Sequence, residues 1–208
     1  MGVSALKSSI FEHLDWVEHG FGTRDDIQSQ DEMATLRQIH SATVLPATQT
    51  GCVGDGDGLI TSTPGLAVSI RTADCFPVLM VDARNRVAAA VHAGWRGTAE
   101  RILPAAIDFM RAEFDSRSAD IYAAIGPGIG ECCYPVGEEV SRRFGLSGAA
   151  CLDLGRENRD QLIEAHVPEA HIHLMGLCTF CDAARFHSYR RDKDSAGRMI
   201  SFIRIRPT

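Results

Sequence analysis

Two apolar runs, "FPVLMVD" at residues 76–82 and "RVAAAVHA" at residues 86–93, are separated only by the turn-like "ARN". Short β-rich runs this close in sequence read as neighbouring strands, and "GLAVSI" at 65–70 adds a third just upstream. The glycine-rich "GCVGDGDGLIT" (51–61) reads as a tight connection entering a strand, because glycine tolerates the positive φ that such turns need. Further strands are expected at "ADIYAAIG" (119–126), "HIHLM" (171–175) and "GRMISFIRIR" (197–206). Helical spacing of Ile102, Leu103, Ala106, Ile107 and Met110 predicts a helix over "GTAERILPAAIDFMRAEF", with Thr98 as N-cap and a kink at Pro104. "VGEEVSRRF" and "ENRDQLIEAH" read as helices, and "PGIGECCYP" as a loop. Strands outnumber helices while both are interspersed, so the class is mixed α/β or α+β.

A chain of 208 residues, 45% hydrophobic and 23% charged, can bury a core and fits one domain (1–208) better than two. Its net charge of -6 argues against a broad nucleic-acid surface, since Arg190, Arg191 and Lys193 form only a local basic spot. No window approaches the ~18 consecutive apolar residues of a membrane span, and the first residues show no uninterrupted apolar signal region. A cytoplasmic location is expected. Seven cysteines, two of them adjacent (Cys132, Cys133), make a poor disulfide framework and read as reduced thiols.

Cys75, in "RTADCFPVLMVD", stands at a strand start, and His92 ends the strand that comes next, so the two meet if those strands pair. Their spacing, and that from His40 to Cys75, match no local metal template. A core thiol, a Cys/His nucleophilic pair and a His/Cys/His metal site all stay open. "HAGWRG" has the makings of a site loop, because Gly94 and Gly97 let the backbone approach a ligand that Trp95 and Arg96 then face. "CTFC" (Cys178, Cys181) has the spacing of a zinc knuckle or redox pair, but there is no second CxxC, and Phe180 and Phe186 favour a packed turn. For Cys132 and Cys133 after "GPGIG", a rigid loop is the plainer reading. His187, Tyr189 and Arg190 suit either a pocket or the surface. Asp57 and Asp74 suit either support of the site or turn caps.

"HGFGTR", "QIH", "GDGLIT", "RTADCFPVLMVD", "VHAGWRGT", "IGPGIGECCYPVGEEV", "LDL" with "ENRDQL", "CTFCD" and "FHSYRRDKDSAGRMISFI" follow one another over nearly the whole chain. In this order they resemble the YfiH-like family, long described as multicopper polyphenol oxidoreductase (laccase) domain proteins and more recently as purine nucleoside phosphorylases. The resemblance implies a layered α+β fold, a mixed-sheet sandwich with flanking helices akin to the catalytic domain of cytotoxic necrotizing factor. It also implies a zinc site on His40, Cys75 and His92, and phosphorolysis of adenosine, inosine, guanosine and methylthioadenosine. Adenosine deamination and peptidoglycan-precursor editing are attributed to the same family. One departure stands out. Only "DDIQSQDEMAT" lies between Arg24 and Leu36, where the family carries a longer segment that bears on the substrate wall.

Three ligands suit zinc better than a dyad would, because they leave a fourth position open for water, phosphate or substrate. Copper in a four-copper oxidase would need many more grouped histidines than the eight present. Arg71 and Arg96 each lie beside an expected ligand and are the candidates to hold phosphate. The alternatives are a metal-free hydrolase using Cys75 with His92, a polyphenol oxidase and a non-catalytic scaffold.

Overall fold

The computed structural model describes residues 5–26 and 30–207. The first four residues, residues 27–29 between Arg24 and Leu36, and residue 208 lie outside it. The strands are β1 (Val17–Phe21), β2 (Met33–Arg37), β3 (Val44–Pro46), β4 (Gly51–Asp55), β5 (Gly58–Thr61), β6 (Ala67–Thr72), β7 (Phe76–Asp82), β8 (Val87–Ala93), β9 (Ile121–Ile125), β10 (Pro135–Val136), β11 (Ala150–Cys151), β12 (Ile172–Leu174) and β13 (Met199–Ile205). The helices are α1 (Trp95–Ala99), α2 (Ile102–Phe114), α3 (Glu138–Ser141), α4 (Leu154–Glu164) and α5 (Tyr189–Asp192). None of the described helices is long and apolar enough to cross a membrane.

A five-stranded sheet runs β1-β13-β6-β2-β4 and a six-stranded sheet runs β12-β9-β7-β8-β5-β3, while β10 and β11 form a small separate ribbon. Both large sheets are mixed: β2 lies parallel to β4 and β6, β3 to β5, and β12 to β9, and the other neighbours are antiparallel. The two sheets pack face to face, and the helices α2 and α4 cover the outer face of the larger one, which gives the expected α+β layering.

Every residue of β7 and β8 is buried, as it must be for strands with a layer on each side. Side chains alternate between faces. Val78 and Met80 therefore join Ile102, Ile107, Met110 and Leu162 of the helices, whereas Leu79, Val81, Ala88 and Ala90 meet Val68, Ile70, Ile203 and Ile205 of the other sheet. The register pairs Phe76 with Ala93 and Pro77 with His92, so Cys75 enters β7 beside the end of β8.

The long helix expected from residue 97 is instead two. Arg101 adopts a left-handed conformation at φ 64° and breaks the run between α1 and α2. Thr98 is therefore no N-cap: it is fully buried inside α1, its hydroxyl donating to Asn158 Oδ1 at 3.0 Å. Pro104 makes no kink either, because it occupies the first turn of α2, where an N–H has no intrahelical acceptor to lose. "VGEEVSRRF" supplies only the single turn α3 followed by a 3-10 turn.

Leu79 is fully buried between the sheets, so Leu79→Ala is expected to cost about 2–5 kcal/mol of unfolding free energy in urea titration. A second expectation concerns His19, whose Nε2 accepts the Ser8 N–H at 2.8 Å. Burial, aided by the Lys7 charge, pushes its pKa down to about 4. Below pH ~6.5 the unfolded chain binds a proton that the folded chain refuses. The contribution of His19 is thus complete above that pH and lost as pH falls toward 4. Urea midpoints measured across this window should fall less steeply for His19→Gln; an unchanged slope would rule out this assignment.

Candidate functional site

Asp57 organises the site. Its carboxylate has no solvent exposure, and its ionised form is stabilised by donors from two directions. The backbone N–H groups of Ile39, His40 and Ser41 donate to it at 3.3, 3.0 and 2.6 Å, the Ser41 hydroxyl at 2.9 Å, and His92 Nδ1 at 2.7 Å. Burial pushes the carboxyl up, but the bonds from His92 and Ser41 outweigh it and bring Asp57 down to about 2. The three amides fix the tight turn in which His40 takes φ 60°. The bond to Asp57 fixes the His92 ring with its Nδ1–H on the carboxylate, which turns Nε2 toward Cys75. Asp57 is both of the things its sequence context allowed, a turn cap and a support of the site.

The structure brings His40, Cys75 and His92 together from the β2–β3 loop, the entry to β7 and the end of β8. One ligand atom from each lies within 4.8 Å of the others, a group that could hold a metal ion. The three grade from exposed His40 through half-buried Cys75 to buried His92, so the group opens on one side. The imidazoles of His40 and His92 meet edge-on at 4.9 Å. Burial pushes the Cys75 thiol up, yet hydrogen bonds from the two histidines and their charges bring it down to about 6. Burial pushes His92 down, while Asp57 and Cys75 outweigh it and raise it to about 9. Thiolate and imidazolium are thus mutually stabilised.

Gly94 keeps the space open. A Cβ there would stand 2.9 Å from Cys75 Sγ and 3.3 Å from His40 Cδ2, closer than real Cβ atoms comfortably approach. The helix it leads into, α1, is braced from behind. Asn158 accepts from Thr98 and donates to Leu154 O at 2.8 Å, and Gln161 donates to Thr98 O at 2.7 Å. "ENRDQL" therefore matters as the buttress of "HAGWRGT".

Above the three residues lies a cleft of about 810 Å³. Six cationic side chains line it: Arg37, Arg71, Arg96, Arg190, Lys193 and Arg198. Arg37 is committed to Asp55, and Arg96 lies 4.4 Å over the Trp95 ring. The backbone of Arg71 is clamped by Gln38, which accepts its N–H and donates to its carbonyl, each at 2.8 Å. Tyr134, Tyr189 and Arg190 complete one wall, with the Arg190 guanidinium 5.2 Å over Tyr134. His187 is not among the lining residues. Tyr134 and Arg198 were missed in sequence because neither stands near an expected ligand.

Asp74 orients no histidine. It takes φ 80°, and its two oxygens accept the Thr179 hydroxyl at 2.7 Å and the Arg190 N–H at 2.6 Å. It thereby ties two distant loops to the residue beside Cys75. The first of those loops meets the loop after β9 at a second group. Cys132, Cys133, Cys178 and Cys181 converge with their sulfur atoms within 4.8 Å of one another. The reading of "CTFC" as a packed turn lacking a partner missed this, because the partner is a vicinal pair more than forty residues away in sequence.

Comparison with known proteins agrees with this architecture. The family model described as multi-copper polyphenol oxidoreductase laccase matches residues 22–206. A purine nucleoside phosphorylase of Clostridium acetobutylicum is 37% identical over 180 residues, 83% of this chain and 76% of that protein. An adenosine deaminase from an unknown prokaryotic organism is 32% identical over 198 residues, 83% of this chain and 75% of that one. The crystal structure of the Bacillus licheniformis protein YfiH superposes with a TM-score of 0.89 at 27% identity, covering 98% of this chain and 97% of that one. With the fold, the ordered motifs and the family model in agreement, the chain belongs to the YfiH-like, laccase-domain family.

Proposed function

We propose that residues 1–208 form one catalytic domain, a zinc-dependent purine nucleoside phosphorylase working in the cytoplasm on adenosine, inosine, guanosine or methylthioadenosine. The observation that carries this reading is the open His40, Cys75 and His92 group at the floor of a cationic cleft. The donor set fits zinc: two imidazoles and a thiol already drawn toward its thiolate, around a space that Gly94 leaves free. When bound, zinc supplies a Lewis acid with a fourth coordination position open. The same donors suit copper(II) where a thioether joins them, but among the described residues no methionine lines the cleft. Nor do the other histidines gather there: His19 and His173 bond to Ser8, and His13 and His171 pack on Tyr122.

Arg71 and Arg96 orient the phosphate and offset its charge. A phosphate oxygen attacks C1′ of the ribose as the bond from C1′ to the purine nitrogen breaks, through an oxocarbenium-like transition state. The base leaves along a cleft flanked by Trp95, Tyr134 and Tyr189, whose faces suit a purine ring. Ribose 1-phosphate and free base are the products. Adenosine deamination at the same centre is the second reading, suggested by the relative that bears that name. The thiolate–imidazolium pair also keeps a metal-free hydrolase in view.

Zinc-loaded protein is expected to release hypoxanthine from inosine only when phosphate is present. Ammonia from adenosine without phosphate would favour deamination, and turnover that survives chelation would favour the hydrolase. Arg71→Ala and Arg96→Ala should each raise the KM for phosphate about tenfold or more, as expected for a lost charge-assisted bond. The site itself is checked by zinc titration against a chelator. Asp57→Asn should weaken binding about 10–100-fold through the lost orientation of His92. Gly94→Ala should weaken it by crowding Cys75. Unchanged affinity in both variants would reject the ligand assignment.

A further inference from the structure

We propose that Cys132, Cys133, Cys178 and Cys181 form a second metal site, a tetrathiolate centre for zinc or a similarly thiophilic divalent ion. This inference stands independently of the nucleoside chemistry. Cys132 Sγ lies 3.9 Å from Cys178 Sγ and 3.7 Å from Cys181 Sγ, and Cys133 Sγ lies 3.3 Å from Cys181 Sγ. Four sulfurs at ~2.3 Å from a tetrahedral zinc stand ~3.8 Å apart, so the side chains are already close to the spacing of a closed structural site. A disulfide would need ~2.0 Å between one pair, and would leave the other two thiols pressed against it.

The surroundings are those of a thiolate cage. The Gly130 N–H donates to Cys178 Sγ at 3.2 Å, a bond that favours the charged sulfur. Arg191 holds the "CTFC" turn from the other side, donating to the carbonyls of Thr179 and Phe180 at 3.0 and 2.9 Å. Gly128 and Cys178 form a parallel bridge that fixes the approach of the two loops. The cysteines therefore come from two backbone segments held by bonds of their own.

Closing this cage would staple the "GECCY" turn, and with it Tyr134, to the loop carrying Thr179. Thr179 in turn is bonded to Asp74, next to Cys75. The second metal would thus brace the cleft wall without touching the reacting atoms, as a positioning element.

The test uses the full chain, purified in reductant and equilibrated with zinc. Elemental analysis should give two zinc ions per chain for the unaltered protein. One is expected for the double variant Cys178→Ser, Cys181→Ser, and one for the triple variant His40→Ala, Cys75→Ser, His92→Ala. Circular dichroism confirms that each variant is folded. In the triple variant six of the seven cysteines remain. Zinc should shield four of these from a thiol reagent and leave the exposed Cys52 and Cys151 reactive. Cobalt loaded into the same variant should show tetrahedral tetrathiolate absorption that Cys132→Ser weakens. A folded triple variant that binds neither zinc nor cobalt, with all six thiols reactive, would overturn the proposal. So would disulfide linkage of these cysteines that persists in the reductant.

Discussion

A carboxylate taken out of water must be saturated by donors, and in this fold that requirement falls on Asp57. Burying an unpaired charge is costly enough that a group usually neutralises instead. Asp57 stays ionised because a turn of backbone amides and one imidazole converge on it. The same bonds that satisfy the charge set the two histidines in place. One is set through the chain direction at His40, the other through the ring orientation of His92. Stability and site geometry are one network here, so a change at this carboxylate acts on both.

The β7–β8 pair supplies the rest of the frame. Its alternating faces contribute to both cores, and alanines on the inner face of β8 let the other sheet approach closely. A rigid, doubly covered hairpin is a sound place to anchor Cys75 and His92, because neither strand end can move without disturbing packed layers on two sides.

This division also explains what could be read from the sequence. Long apolar runs such as 76–82 and 87–93 announce themselves, and the antiparallel pairing that joins Cys75 to His92 follows from their adjacency. The resemblance to a known family added His40, which no local spacing connects to the other two. The short strands of the smaller sheet gave no comparable signal: β2 alternates in burial but over only five residues, and β4 is mostly exposed. The break at Arg101 was invisible because the apolar spacing continues past it, and only the bond from Thr98 to Asn158 shows why two helices are needed. The cysteine group was hidden for a different reason. Its halves belong to loops brought together by tertiary structure, so each half alone looks like packing.

The place of β13 between β1 and β6 has a consequence for how the protein folds. The smaller sheet is closed by residues 199–205, far along the chain from both β1 and β6. Until β13 docks, β1 and β6 each present an unpaired edge, and a bare edge invites pairing with other chains. Folding of this layer must wait for that strand, since it is remote in sequence from both neighbours. A chain whose β13 has not docked therefore carries an open seam through the middle of this layer.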